Sequence, residues 1–153
     1  MKEYSEPRMH TAEHILNQTM VRMFNRGRSF SSHIEKKKSK CDYRFDRDLT
    51  AREVAEIEQR VNDIIRADHR VTEEFIKRDD AEKLYNLGRL PHEAGDTIRI
   101  VRVGDYDACP CSGTHAISSG EIGDFRIIST GFSEGVLRVR FKISEEGTAH
   151  LDP

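Results

Sequence analysis

His10 and His14 stand four residues apart in MHTAEHIL, and Cys111 and His115 repeat that interval in CPCSGTH. On a helix, two imidazoles at this spacing lie one turn apart on one face and reach the same ion. The first pair alone is weak evidence, because two histidines meet this way by chance and then sit half-exposed on a helix surface. The second pair, from a distant part of the chain, reverses that judgement. One thiolate and three imidazoles make a tetrahedral zinc set, since mixed sulfur and nitrogen donors suit Zn2+ and are not what hard, oxygen-seeking ions take. Cys109 competes with Cys111 for the thiolate position, but Pro110 stiffens the link and makes simultaneous ligation awkward. Cys111 is the favoured donor, with Cys109 a buried or neighbouring thiol. The zinc-peptidase motif H-E-x-x-H is excluded, because Thr11 occupies the place of its general base. The acid nearby is Glu13, for which a solvated or salt-bridged side chain is the ordinary expectation.

These residues need elements to hold them. Ile15, Leu16, Met20, Met23 and Phe24 recur at helical spacing, so a helix over 9–24 carries His10 and His14, and Asn25 to Gly27 stops it. Residues 28–34 and 41–45 read as two strands of a hairpin across the basic stretch EKKKSK. Thr50 followed by Glu53 is a capping box, and behind it Val54, Ile57, Val61, Ile64 and Ile65 mark an amphipathic helix to about residue 68. A short strand over 71–76 follows, then a brief helix capped by Asp79 with Glu82 and ended by Gly88. Residues 97–103 are β-branched and strand-like, closed by the Gly104-Asp105 turn, and 125–129 give another strand. In the last strand Leu137, Val139, Phe141 and Ile143 point one way while Val136, Arg138, Arg140 and Lys142 point the other. Strands grouped among helices without strict alternation indicate an α+β fold, a mostly antiparallel sheet packed on helices, in a single domain over 1–153.

At 153 residues such a domain can bury a core without metal or disulfides as its main support, so a metal here serves a site. Charged residues make up 34% of the chain, yet the net charge is only −2, so a polyanionic partner needs a local basic patch. Apolar runs of only a few residues and the lack of a charged-then-apolar leader lead us to expect no membrane span and a cytoplasmic protein. Three cysteines, an odd number, argue against a disulfide framework.

With both metal pairs in view, the sequence resembles the editing domain of alanyl-tRNA synthetases and their free-standing relatives, the AlaX proteins. HTAEHIL, LTAREVAEIEQRVNDIIR, GDTIRIVRVGDYDACPCSGTH and SSGEIGDFRIIS stand in the family's order over nearly the whole chain. Threonyl-tRNA synthetases carry a similar domain with the same paired motifs, while the CSGTH and GEIG wording favours the alanyl branch. The chain begins almost at His10, which resembles the small AlaX form and implies action in trans. The resemblance implies a zinc-dependent deacylase that cuts the ester between a wrong amino acid and the terminal adenosine of tRNA. A pocket shaped for alanine cannot strongly refuse serine or sterically exclude glycine, so a second site must hydrolyse the error. An editing pocket that reads a hydroxyl rejects the analogue lacking it by about 10⁴ to 10⁵, which makes Ser-tRNA(Ala) the preferred target and Gly-tRNA(Ala) a secondary one.

By its position, SFSSHI resembles the family segment lining the amino-acid pocket, which offers Ser29, Ser31, Ser32 and His33 as substrate contacts; His33 is also read as a surface residue. Gly113, Ser119 and Gly120 are further substrate-binding candidates, where Gly-rich turns bring backbone N–H groups to the terminal nucleotide or simply turn the chain. Four protein ligands conflict with a zinc-bound water, so either Cys111 exchanges with water or zinc positions the substrate while another water attacks. Thr114, Glu13 and Asp107 are candidates to orient that water or the substrate ammonium. For the acceptor end of a mischarged tRNA, Lys36, Lys37, Lys38, Lys40, Arg138, Arg140 and Lys142 are expected phosphate contacts, the KKK run being equally a solvated hairpin tip. The competing readings are a deacylase of Ser-tRNA(Thr) and a non-catalytic RNA-binding module stiffened by zinc.

Overall fold

The computed structural model describes residues 6–87 and 95–144. Its elements in chain order are α1 (Pro7–Phe24), β1 (Ser31–His33), β2 (Ser39–Arg44), α2 (Ala51–Arg66), β3 (Val71–Lys77), α3 (Arg78–Leu84), β4 (Thr97–Val103), β5 (Asp107–Pro110), a 3₁₀ helix (Ser119–Ile122), β6 (Phe125–Ser133) and β7 (Val136–Ile143). Every pairing between these strands is antiparallel. Instead of one sheet there are two, a four-stranded one in the order β1-β2-β7-β6 and a three-stranded one in the order β3-β4-β5.

Helix α1 starts with Pro7, whose fixed φ suits the first helical position, and stops at Asn25, which adopts the left-handed conformation. Its apolar side, from Met9, Ala12, Ile15, Leu16 and Met20, joins Ile57, Val61 and Ile65 of α2 and the inner face of the four-stranded sheet in one core. The register puts Cys41 opposite Val139 and Tyr43 opposite Leu137 on that inner face, while Lys40 pairs with Arg140 and Asp42 with Arg138 on the outer one. The alternation expected of the last strand is therefore present. A smaller cluster of Ala81, Ile98 and Ile100 backs the three-stranded sheet. Among the described residues, no helix is long and apolar enough to cross a membrane.

The capping box forms as expected. Thr50 Oγ1 accepts from the Glu53 N–H at 3.1 Å, Glu53 Oε1 accepts from the Thr50 N–H at 2.9 Å, and Arg47 grips both carboxylate oxygens. The hydrogen bonds from Arg47, then from Thr50, pull the Glu53 carboxyl down to about 2. A depressed carboxyl contributes stability above its ordinary value of 4.5, and that contribution disappears as pH falls from there to about 2. Thr50→Ala therefore costs about 1 kcal/mol in urea unfolding at neutral pH. The stability difference between wild type and Glu53→Gln narrows across that acid window.

Three local expectations need correction. The helix expected to be capped by Asp79 and Glu82 begins at Arg78 with Lys77 as its cap residue and no side-chain cap; Asp79 and Asp80 instead sit in the first turn, where the helix dipole favours acids. Its expected stop, Gly88, lies outside the described residues. Strand β1 covers only three residues because Arg28 and Ser29 are drawn inward to Asp107 and Asn17. Strand β6 runs on to Ser133 through an irregularity between Ile127 and Ser129.

Candidate metal centre

Helix α1 turns two stripes inward. The apolar one builds the core, and the second, His10, Glu13, His14 and Asn17, falls at i, i+3, i+4 and i+7, the periodicity of one helical face. His14, Glu13 and Asn17 are buried. Facing this stripe is the chain that leaves β5, carrying Cys111 and His115. One donor atom from each of His10, His14, Cys111 and His115 lies within 4.8 Å of every other. Cys111 Sγ is 3.5 Å from Nε2 of both His10 and His115. A tetrahedral ion with Zn–S near 2.3 Å and Zn–N near 2.0–2.1 Å needs nitrogen–sulfur edges of about 3.6 Å, so this donor set fits zinc.

Each imidazole is also held from behind. His10 Nδ1 donates to the Thr114 carbonyl at 3.0 Å, which can only accept. His115 Nδ1 is 3.0 Å from Thr11 Oγ1. Thr11 gives its single proton to the Pro7 carbonyl at 3.1 Å and accepts from the Ala116 N–H at 3.0 Å, so the His115 proton sits on Nδ1. His14 Nδ1 is buried without a conventional hydrogen bond, and the atom facing it is Asp107 Oδ2 at 3.5 Å. In His10 and His115 the Nδ1 partner fixes the ring and Nε2 faces Cys111 Sγ, where an ion would take the lone pair and expel any proton shared with sulfur. Gly113 is required at this point, since a Cβ there would stand 2.3 Å from His10 Cε1.

Charge follows the same design. Burial raises the Cys111 thiol, but hydrogen bonds from His10, His115 and His14 overturn this and bring it down to about 2, so sulfur is present as thiolate. Burial pushes His14 down, and Asp107, Cys111 and Glu13 more than offset it, lifting it to about 9. His115 is lowered to about 4, chiefly by burial. Asp107 is buried, which alone raises a carboxyl; His14 and Arg28 reverse the sign and hold it well below the usual range. Arg28 Nη1 and Nη2 donate to its two oxygens at 2.7 and 3.3 Å, and Gln18 Nε2 adds a bond at 2.8 Å. Cys109 is not in the cluster. Its Sγ turns to the Pro110 carbonyl, and burial lifts the thiol to about 12.

Residues 98–148 match the family described as the threonyl and alanyl tRNA synthetase second additional domain. Over 147 residues the chain is 34% identical to alanine–tRNA ligase of Aeropyrum pernix, with 92% of this chain and 16% of the relative aligned. It is 31% identical over 145 residues to that of Pseudoalteromonas translucida, covering 93% and 17%. Over residues 98–148, a third of its length, the chain is thus similar to the second additional domain of threonyl and alanyl tRNA synthetases. It spans only 16–17% of the length of these curated relatives.

Within the fold the expected site residues separate into three groups. Glu13 is buried rather than solvated: Oε2 accepts from Asn17 Nδ2 at 3.1 Å and Ser32 Oγ at 2.8 Å, while Oε1 lies 3.9 Å from Nε2 of His10 and His14. Ser29 Oγ pairs with Ser32 Oγ at 2.9 Å, so these two serines adjoin the donor cluster through Glu13. Gly113 adjoins it directly, and Thr114 contributes its carbonyl. The next group lies elsewhere. Ser31 and His33 sit in register with Asp42 and Lys40 and point to the outer face, away from Glu13, where His33 pairs with Glu35. Ser119 is fully buried, donating to the Ile64 carbonyl and accepting from the His69 N–H, and Gly120 N–H donates to Asp68 Oδ1. These two latch the 3₁₀ helix to the end of α2, which commits the Ser119 hydroxyl and the Gly120 N–H. Asp107 is fully buried, bound by Arg28 and Gln18, and braces His14. The last group is the basic one. Lys36, Lys37, Lys38 and Lys142 are exposed, Lys40 and Arg140 pair across the outer face, and Arg138 is bound bidentately by Asp42.

Thr11, Asn17, Gln18 and Arg28 carry roles not expected of them. The stripe spacing offered a signal for Asn17, whose Oδ1 accepts from the Ser29 N–H and from Tyr43 Oη. Thr11→Val keeps the shape while removing the acceptor for His115 and for the buried Ala116 N–H. It is expected to weaken zinc binding by about 10-fold or more, measured by competition with a chelator, and to cost about 1–3 kcal/mol of stability.

Proposed function

We propose that this protein is a zinc-dependent deacylase that removes serine, and more slowly glycine, from mischarged alanine tRNA, acting in trans on the ester at the terminal adenosine. The observation that supports it most is the direct adjacency of the four-donor cluster to the Glu13–Ser32–Ser29 chain, which combines an acid and two hydroxyls in one hydrogen-bonded group. Held at His10, His14, Cys111 and His115, zinc would supply Lewis acidity toward a carbonyl or water where one donor, Cys111, gives way to it. A four-donor shell is closed, so the proton chemistry falls to Glu13. With Oε2 fixed by Asn17 and Ser32, Glu13 Oε1 is oriented to take a proton from water attacking the ester carbonyl. Ser32 and Ser29 offer hydroxyls that bond a serine side chain and leave alanine unrewarded. Lys36, Lys37, Lys38, Lys40, Arg140 and Lys142 contact acceptor-stem phosphates, with Arg138 contributing less because Asp42 already pairs it.

Incubating the purified protein with Ser-tRNA(Ala), Gly-tRNA(Ala), Ser-tRNA(Thr) and Ala-tRNA(Ala) tests this. Serine is released from the alanine tRNA fastest, correct alanine is spared, and added salt slows the reaction steeply. Preferential clearance of Ser-tRNA(Thr) assigns the threonyl branch instead. Salt-sensitive tRNA binding with no release of amino acid assigns a zinc-stiffened RNA-binding module.

A further inference from the structure

Arg99 in β4 belongs neither to the four donors nor to the Glu13 group, yet its contacts converge on the loop that carries Cys111. Its Nη1 donates to the carbonyls of Cys111 at 3.0 Å and Gly113 at 2.7 Å, and its own carbonyl accepts from the Cys111 N–H at 3.2 Å. On the other side its Nε donates to Glu73 of β3, and the side chain is only 25% exposed. A guanidinium presents its donors in a rigid plane, so anchoring it on Glu73 and on two carbonyls fixes where those carbonyls lie. They flank the thiolate. One belongs to Cys111 itself, and the other to Gly113, whose N–H donates to Cys111 Sγ at 3.4 Å and whose bare Cα makes room for His10. Displacing this short loop therefore moves the sulfur, its N–H donor and the space for one imidazole together.

We infer that Arg99 is a positioning residue of the metal centre, holding the 111–113 loop so that the Cys111 thiolate faces the three imidazoles. The inference rests on reading the cluster as a zinc site and is independent of the deacylase reaction. The bland alternative is that Arg99 merely ties β3 to β4. Strand β4 supplies the control, because Arg102 makes the same kind of tie, to Glu74 of β3 at 2.9 Å, on the opposite face from Arg99.

The test measures the zinc dissociation constant of the full chain by competition with a chromophoric chelator, alongside the cobalt(II) absorption spectrum. Arg99→Ala weakens zinc binding by about 10- to 100-fold and diminishes the thiolate-to-cobalt charge-transfer band. Arg99→Lys falls between it and wild type, since an ammonium reaches a carbonyl but lacks the planar fork. Arg102→Ala retains the wild-type affinity and spectrum. Unchanged affinity in Arg99→Ala, or an equal loss in Arg102→Ala, overturns the inference. Should Arg99→Ala fail to fold, the comparison of Arg99→Lys with Arg102→Ala decides on the same criterion. A wild-type chain that holds no zinc overturns this inference together with the metal reading, whereas one that holds zinc but releases no serine overturns the deacylase alone.

Discussion

His10→Ala combined with His14→Ala abolishes serine release from Ser-tRNA(Ala), by at least about 10³-fold, while the far-ultraviolet circular dichroism of the protein is preserved. Two of the four donors disappear, and a cysteine and a histidine on one short loop do not hold zinc against buffer. Loss of Lewis-acid stabilisation worth several kcal/mol corresponds to that factor, at about 1.4 kcal/mol per tenfold. The fold survives because its main core, built by α1, α2 and the four-stranded sheet, does not include the cluster. Removing zinc from the wild type with a chelator lowers activity as far as the double substitution does, and restoring zinc recovers it only in the wild type. A variant that still releases serine rapidly would separate catalysis from this centre.

Asp107→Asn is the second large effect, and it acts through two partners at once. Asp107 Oδ1 accepts from Arg28 and Gln18, and Oδ2 accepts from Arg28 and faces His14 Nδ1. An amide replaces one acceptor oxygen by a donor, which then opposes either the guanidinium or the imidazole N–H. Binding of zinc weakens by about 10- to 100-fold as His14 loses the carboxylate behind it. Stability falls as well, by about 2–3 kcal/mol, because the largely buried Arg28 charge loses its counter-ion. Chemical denaturation of the metal-free protein reads the second effect, and chelator competition reads the first. Gln18→Ala, which removes only one bond to the same oxygen, changes both much less.

The four-donor cluster is legible in the sequence because each half is local. His10 with His14, and Cys111 with His115, advertise themselves by spacing, as do the Thr50–Glu53 box and the alternation in β7. What supports the donors is not local. Asp107 finds Arg28 and His14 across the fold, Thr11 meets His115 only after α1 packs against the loop, and Arg99 reaches its carbonyls through a strand pairing. None of these leaves a period in the chain. Strand β5 escaped notice because four residues ending in proline carry little strand signal, and it exists by pairing with β4. Splitting the strands into two sheets went unseen for the same reason. The serines of SFSSHI show the limit of position alone, since alternation along β1 sends Ser32 inward to Glu13 and Ser31 outward to solvent.

X-ray absorption at the zinc edge addresses the donor set most directly. The account predicts one zinc per chain with a single sulfur at about 2.3 Å and three nitrogens at about 2.0–2.1 Å, and loss of the sulfur in Cys111→Ser but not in Cys109→Ser. A shell with two sulfurs, a shell with none, or a sulfur that survives Cys111→Ser contradicts it.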